Sequence, residues 1–269
     1  MRIEAVTVCV DYADYLEQTL PTVLAHVDDL VVVTSPRDAR TRRLCARHSV
    51  RCLPTDCFYQ GGDAFNKARG INYGLANLRL DDWVLHLDAD IALPARARWT
   101  IGQATPDRRK LYGCDRVNCV GRAAWDALRA APPIPFEWKC LVSPPRGLAM
   151  ASRIAHMEYG GYVPIGFFQL WHPGRSGVDR YPQRQGSAEH TDVLHAIQWP
   201  RERRELLPEL FAIHLETRGK TGAPIGDNWD GRKTPAFTLD EGPFPSCGRP
   251  ASAGDRGCAP PPWQQTYGG

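Results

Sequence analysis

Short apolar runs alternate with longer amphipathic stretches along the first part of the chain. Ala5–Val10, Leu30–Thr34, Val50–Pro54 and Trp83–Leu87 are long enough for buried strands and too short for helices. Between them, Tyr15–His26, Arg40–His48 and Asp63–Leu78 carry apolar residues at three- and four-residue spacing, the pattern of an amphipathic helix. In the last of these the apolar stripe is Phe65, Ala68, Ile71, Leu75 and Leu78, and Asp63, just after Gly61-Gly62, stands where a side-chain cap is needed. Strands alternating with helices predict an α/β fold: a mostly parallel sheet, helices on both faces, and ligands gathered at the carboxyl ends of the strands.

Beyond Pro94 the rhythm changes. Prolines and aromatics crowd Pro132–Trp138, and aromatic, glycine-rich segments follow at Tyr159–Trp171, which predicts a smaller lobe of short strands and loops. Leu239–Gly269 is rich in Pro, Gly and Ser and predicts an extended or disordered tail. The expected division is 1–105 for one half, 106–237 for a second, and 238–269 for the tail.

Composition narrows the class. With 269 residues, 43% hydrophobic and 23% charged, the chain can bury a core of its own, which excludes a peptide hormone, a disordered tail or a coiled coil. A net charge of +3 is too small to imply a nucleic-acid partner by itself. Most of the 33 basic residues are arginine, which suits phosphate recognition and equally suits the codon habit of a GC-rich genome. Nine cysteines without a C-x-x-C pair indicate neither a zinc module nor a complete disulfide framework. No basic leader, cleavage site or membrane-length apolar run is visible, so a soluble, cytoplasmic protein of a reducing compartment is expected.

The sharpest local feature is Leu85-His86-Leu87-Asp88-Ala89-Asp90, an apolar strand that delivers two carboxylates at its end. Carboxylates there face solvent or a cation, and hard divalent ions take oxygen ligands while leaving positions open for phosphate. Lys67 and Arg69 leave the apolar stripe of their helix in its opening turns, where positive charge opposes the helix dipole. They are either solvated surface charges or partners for an anion such as a diphosphate.

Together these segments resemble a family. Val6–Val10, Val31–Ser35, the Phe65-Asn66-Lys67-x-Arg69-x-Ile71-Asn72-x-Gly74-Leu75 helix and Trp83–Pro94 are similar to the nucleotide-sugar half of family-two-like glycosyltransferases with the GT-A fold. The resemblance covers about residues 3–95 well and is looser to about residue 235. It implies a Rossmann-like sheet flanked by helices with a smaller acceptor-side lobe. It also implies a nucleoside-diphosphate sugar donor, UDP-sugar favoured, and Mn²⁺ or Mg²⁺. By that resemblance Asp88 contacts the ribose or shares the metal, and Asp90 binds the metal. Thr34 sits beside the nucleoside, while Asp63, Lys67 and Arg69 line base, ribose or phosphates. Where the family commonly has an Asn-containing loop after the first strand, this chain has Asp11-Tyr12.

Farther along, His214 in the apolar stretch Phe211–Thr217 is the expected third metal ligand, and Lys220 and Arg232 lie in a glycine-rich loop able to close over the diphosphate. Asp192 is either a helix cap or the base that takes the acceptor proton, with Glu189 in reserve. Trp171 and His172 are the expected acceptor contacts, whereas Phe167 and Leu170 read as core. The acceptor stays open: basic groups at Arg108-Arg109-Lys110 and Arg201–Arg204 suit nucleic acid, such as a hydroxymethylated base in DNA, and a polysaccharide or small molecule fits equally. The competing classes are a sugar-phosphate nucleotidyltransferase and a non-catalytic binding module. The first normally carries a glycine-rich loop with a lysine after strand one, where this chain has Asp11-Tyr12-Ala13-Asp14.

Overall fold

A computed structural model describes residues 1–63, 65–130, 148–150, 155–156, 160–183, 191–218, 224–225 and 236–237. The N-terminal half follows the predicted alternation. Strands β1 (Ile3–Val8), β2 (Asp29–Thr34), β3 (Arg51–Pro54) and β4 (Trp83–Leu87) alternate with helices α1 (Ala13–Leu24), α2 (Ala39–Arg47) and α3 (Lys67–Leu75). β1 pairs in parallel with β2 and β4, and β2 with β3. Successive residues of these strands serve opposite cores. Ala5, Leu30, Val32 and Leu85 pack with α1 and α2 on one face, while Val6, Val31, Val33 and Val84 pack with α3 on the other. Burial on both faces is why the strands read as unbroken apolar runs.

α3 lies unusually close to the sheet: a Cβ on Gly74 would fall 2.4 Å from Val6 Cγ2. It begins later than the pattern predicts. Cys57–Gly62 forms a 3-10 segment with Gly61 and Gly62 in the left-handed region, and the capping side chain is Asn66, which accepts from Arg69 N at 3.2 Å. Asp63 therefore caps nothing. Its carboxylate accepts from Asn66 Nδ2 at 2.9 Å and pairs with Arg69 at 3.2 Å.

The second half adds β5 (Ile91–Ala92), α4 (Ala97–Gln103), β6 (Leu111–Val120), α5 (Arg122–Ala130), β7 (Leu148–Met150), β8 (Ala155–His156), β9 (Gly161–Tyr162), β10 (Phe168–Trp171), α6 (Pro173–Ser176), α7 (Thr191–Ala196), β11 (Arg204–Arg218) and β12 (Pro224–Ile225). The sheet runs β12-β11-β6-β10-β4-β1-β2-β3, with β5 on β11 and β7 on β6. It is mixed, since β10 is antiparallel to both β4 and β6 whereas β6 and β11 are parallel. The β6–β11 register shifts between Leu206 and Phe211, where Pro208 has no N–H to give the ladder and Glu209 takes φ +61°. Among the described residues no helix is long and apolar enough to cross a membrane. The predicted tail lies outside the described residues.

Candidate functional site

The carboxyl ends of β1, β2 and β4 and the start of α7 meet at one edge of the sheet. β4 ends at Leu87, so Asp88 and Asp90 leave the sheet where its backbone ladder stops. Lys67, in the first turn of α3, reaches into this edge. Its Nζ lies 2.7 Å from Asp88 Oδ1 and 3.3 Å from Asp192 Oδ2. The structure thus brings together Asp88 and two further predicted residues, of which Lys67 and Asp192 are 125 positions apart.

Asp192 is the second residue of α7, and its carboxylate rests on the backbone of Gly166: a Cβ there would fall 2.0 Å from Asp192 Oδ2. Along this helix Val193, His195 and Ala196 are buried, whereas Ile197, just past its end, is exposed.

Asp90 faces the other way. Its Oδ2 lies 3.4 Å from His214 Nε2, and His214 Nδ1 lies 2.9 Å from Glu216 Oε1. The backbone holds this geometry: β5 pairs with β11 at Ile91 and His214, and Leu215 N donates to Asp90 O at 2.9 Å. Burial pushes the Asp88 carboxyl up, Lys67 pulls it back, and Asp192 and Asp90 add to the rise, which leaves it at about 7. Burial also pushes the Asp90 carboxyl up, but His214 overcomes it and the group falls below the usual carboxylate range. For His214 burial acts downward and is overcome by Asp90 and Glu216, which raise it to about 9.

Thr34 ends β2 and donates to Asp38 Oδ2 at 3.3 Å; the same carboxylate oxygen accepts from Thr41 Oγ1 at 2.6 Å and from Asp11 N at 2.8 Å. This small polar cup at the mouth of β1 and β2 rests on Asp38, which the sequence reading passed over although it caps α2. Also missed was a buried chain behind the acidic edge. Gln169 Nε2 donates to Pro164 O at 2.8 Å and to Asp192 O at 3.0 Å. Its Oε1 accepts from the Tyr181 hydroxyl, which lies 3.0 Å from His86 Nδ1. Because the amide nitrogen serves two carbonyls and the amide oxygen takes the phenol proton, the phenol oxygen is left to accept from His86 Nδ1–H. That fixes the neutral tautomer of His86. Burial, then Lys67, holds this imidazole well below its ordinary pKa.

Two predicted residues are not at this edge. β10 runs antiparallel to β4, with Phe168 beside Leu87 and Trp171 beside Val84, so the strand carries its aromatics away from the acidic edge. Trp171 is fully buried and donates to Val178 O at 3.0 Å, and His172 sits against Trp83 and 3.9 Å from Asp82. Glu189, Lys220 and Arg232 lie outside the described residues.

No family model and no curated protein matches the sequence. Solved structures do. The chain is similar to S. aureus TarS 1-349, with 11% identity and a TM-score of 0.50 over 80% of this chain; it spans 60% of that one. It also aligns with a 4-diphosphocytidyl-2C-methyl-D-erythritol synthase, with 17% identity, a TM-score of 0.43 and coverage of 84% and 94% of the two chains. A third match is Mycobacterium tuberculosis glucosyl-3-phosphoglycerate synthase in complex with UDP, with 17% identity, a TM-score of 0.31 and coverage of 48% and 50%. The likeness to TarS is one of fold, and the fold is α/β and GT-A-like: a curled, mostly parallel mixed sheet flanked by helices.

Proposed function

We propose that this protein is a glycosyltransferase that moves a sugar from a nucleoside-diphosphate sugar, UDP-sugar favoured, to an acceptor hydroxyl. One observation carries the reading: within a GT-A-like fold, Lys67 Nζ lies between Asp88 at the end of β4 and Asp192 at the start of α7. Asp192 takes the acceptor proton as the acceptor oxygen attacks the anomeric carbon and the bond to the diphosphate breaks. Charge gathers on the departing diphosphate, and the Lys67 ammonium stands beside it. Thr34 and its partner Asp38 bound the nucleoside end, and Asp63 with Arg69 flanks the phosphates.

A divalent ion fits this site in part. Asp90 Oδ1 is buried without a hydrogen-bond partner, and the 3.4 Å between Asp90 Oδ2 and His214 Nε2 suits two adjacent ligands of one ion. Neighbouring ligands of an octahedral Mg²⁺ stand about 3 Å apart. Among the described residues no group of three His, Cys, Asp or Glu is arranged to hold a metal, so the protein's share is Asp90 and His214, with Asp88 turned to Lys67. A bound Mn²⁺ or Mg²⁺ supplies charge neutralisation for the leaving diphosphate.

For the acceptor, a polysaccharide or small molecule is favoured over DNA. Arg108 faces Asp82, Arg109 faces Asp107 and Lys110 faces Glu205, so this basic group is matched by acids. The test is UDP release from a panel of UDP-sugars by wild type and Asp192→Asn. The variant should lose about 10²- to 10⁴-fold in kcat while keeping the thermal stabilisation that UDP gives wild type. Full activity sinks the base assignment, and a wild type indifferent to every nucleotide sugar sinks the whole reading.

A further inference from the structure

Arg116 on β6 takes no part in the chemistry above, and its surroundings are those of a ligand-binding arginine. In the parallel β6–β11 pair, Arg116 stands beside Ala212 and Asn118 beside His214, so both side chains share the sheet face that carries His214 and Glu216. The Arg116 guanidinium lies over the Phe167 ring, 4.9 Å from its centroid. Its Nε is buried with no hydrogen-bond partner, and so is Asn118 Oδ1. Among the described residues no carboxylate pairs with Arg116. Leaving buried polar atoms unmatched is costly, and a bound group that supplies the missing partners removes the cost.

The position says which substrate is involved. Phe167 follows Gly166, and Gly166 is the seat of the Asp192 carboxylate. A guanidinium stacked on a ring keeps its edge free for the two-pronged grip on a carboxylate or phosphate. Asn118 Oδ1 next to it calls for a hydroxyl donor.

We propose that Arg116 and Asn118 form a subsite for an anionic group, carboxylate or phosphate, on a hydroxyl-bearing acceptor. Phe167 is the platform that holds the arginine. The assignment to the acceptor rests on Asp192 being the base; the anion site itself does not.

The experiment is a titration of the full chain with inorganic phosphate, followed by melting temperature, both without nucleotide and with saturating UDP and Mn²⁺. Phosphate should stabilise wild type in both conditions. Arg116→Gln should raise the phosphate midpoint by about tenfold or more while leaving the UDP midpoint unchanged. Arg116→Lys, which keeps the charge and loses the fork, should fall between and covers the case in which the glutamine variant does not fold. Equal phosphate midpoints in wild type and variants, or no phosphate effect on wild type, overturn the subsite. A UDP midpoint that moves as far as the phosphate midpoint overturns it too, because the arginine then belongs to the donor. UDP silence in wild type removes the donor reading instead, while the nucleotide-free phosphate arm still decides the subsite.

Discussion

Asp88 and Asp90 leave the same strand two residues apart and meet opposite surroundings. Asp88 turns toward α3 and α7, shares the Lys67 ammonium with a second carboxylate, and remains 30% exposed. Asp90 turns toward β11, is half as exposed, and faces His214, whose other ring nitrogen meets Glu216. Burial disfavours the charged form of both, yet one carboxyl is raised and the other lowered. The neighbours decide the sign: Asp88 meets Lys67 together with the charges of Asp192 and Asp90, whereas His214 is the main charge acting on Asp90 and outweighs its burial. A two-residue step along an extended chain keeps one face, so this divergence begins only where the strand ends and the backbone turns.

If the split matters for catalysis, its two sides should fail differently. Of these two carboxylates the larger effect is expected from Asp90→Asn, which removes the charge facing His214. UDP-sugar turnover should fall by about 10²- to 10³-fold in kcat/KM, with the circular dichroism spectrum unchanged. Asp88→Asn losing the same factor through the same kinetic parameter would argue that the carboxylates act as one unit.

Lys67→Gln probes the other side. It leaves Asp88 and Asp192 facing each other without their cation, a loss of about 1–3 kcal/mol once partial exposure is allowed for. Adding Asp88→Asn should restore much of that stability, because the repulsion left behind is then gone. Chemical denaturation of the two single variants and the double variant measures the coupling, and strict additivity would show that Lys67 and Asp88 do not interact.

The contrast also marks what the sequence could reveal. β4 is legible to the residue, because a central parallel strand buried on both faces is an unbroken apolar run bounded by charge. The start of α3 is not: Asp63 and Asn66 are both of residue types that can cap, and the left-handed Gly61 and Gly62 delay the helix so that only Asn66 does. β11 is visible as Phe211–Thr217, while its first part hides behind Pro208 and the left-handed Glu209. Asp192 was selected for its helix, but its meeting with Lys67 depends on how α7 docks, which no local pattern encodes. Trp171 and His172 lie away from this edge because of a direction that the sequence does not show. An aromatic string reads alike whether its strand runs toward the site or away from it, and the antiparallel pairing of β10 takes these two away.

The chain of buried polar groups behind Asp192 offers a smaller test of the same edge. Tyr181→Phe strips the proton from Gln169 Oε1 and the acceptor from His86 Nδ1, leaving two buried groups unmatched. A loss of about 1–3 kcal/mol is expected, or a melting temperature lower by several degrees in a protein of this size. If Gln169 is what holds the start of α7, kcat should drop while the UDP midpoint stays put.

The last effect is one of pH. His195 stacks on Tyr181 at 3.7 Å, is edged by Trp171 and Trp199, and is fully buried. Burial lowers it to about 3, so the folded protein carries it neutral. The unfolded chain protonates the same group near 6.5. Between those values the unfolded state binds the extra proton, so the contribution of neutral His195 is complete above about pH 6.5 and is lost as pH falls toward 3. Its slope is about 1.4 kcal/mol per pH unit. His195→Phe keeps a flat ring against the three aromatics and removes the titration. Its stability should therefore fall less steeply than wild type between pH 6.5 and 4.5, by about 1.4 kcal/mol for each unit. His86, across Tyr181, is held down first by burial and Lys67, which both proteins keep, so it titrates in the same sense in both. Parallel stability curves for the two proteins would mean that water reaches His195 between its three aromatic neighbours.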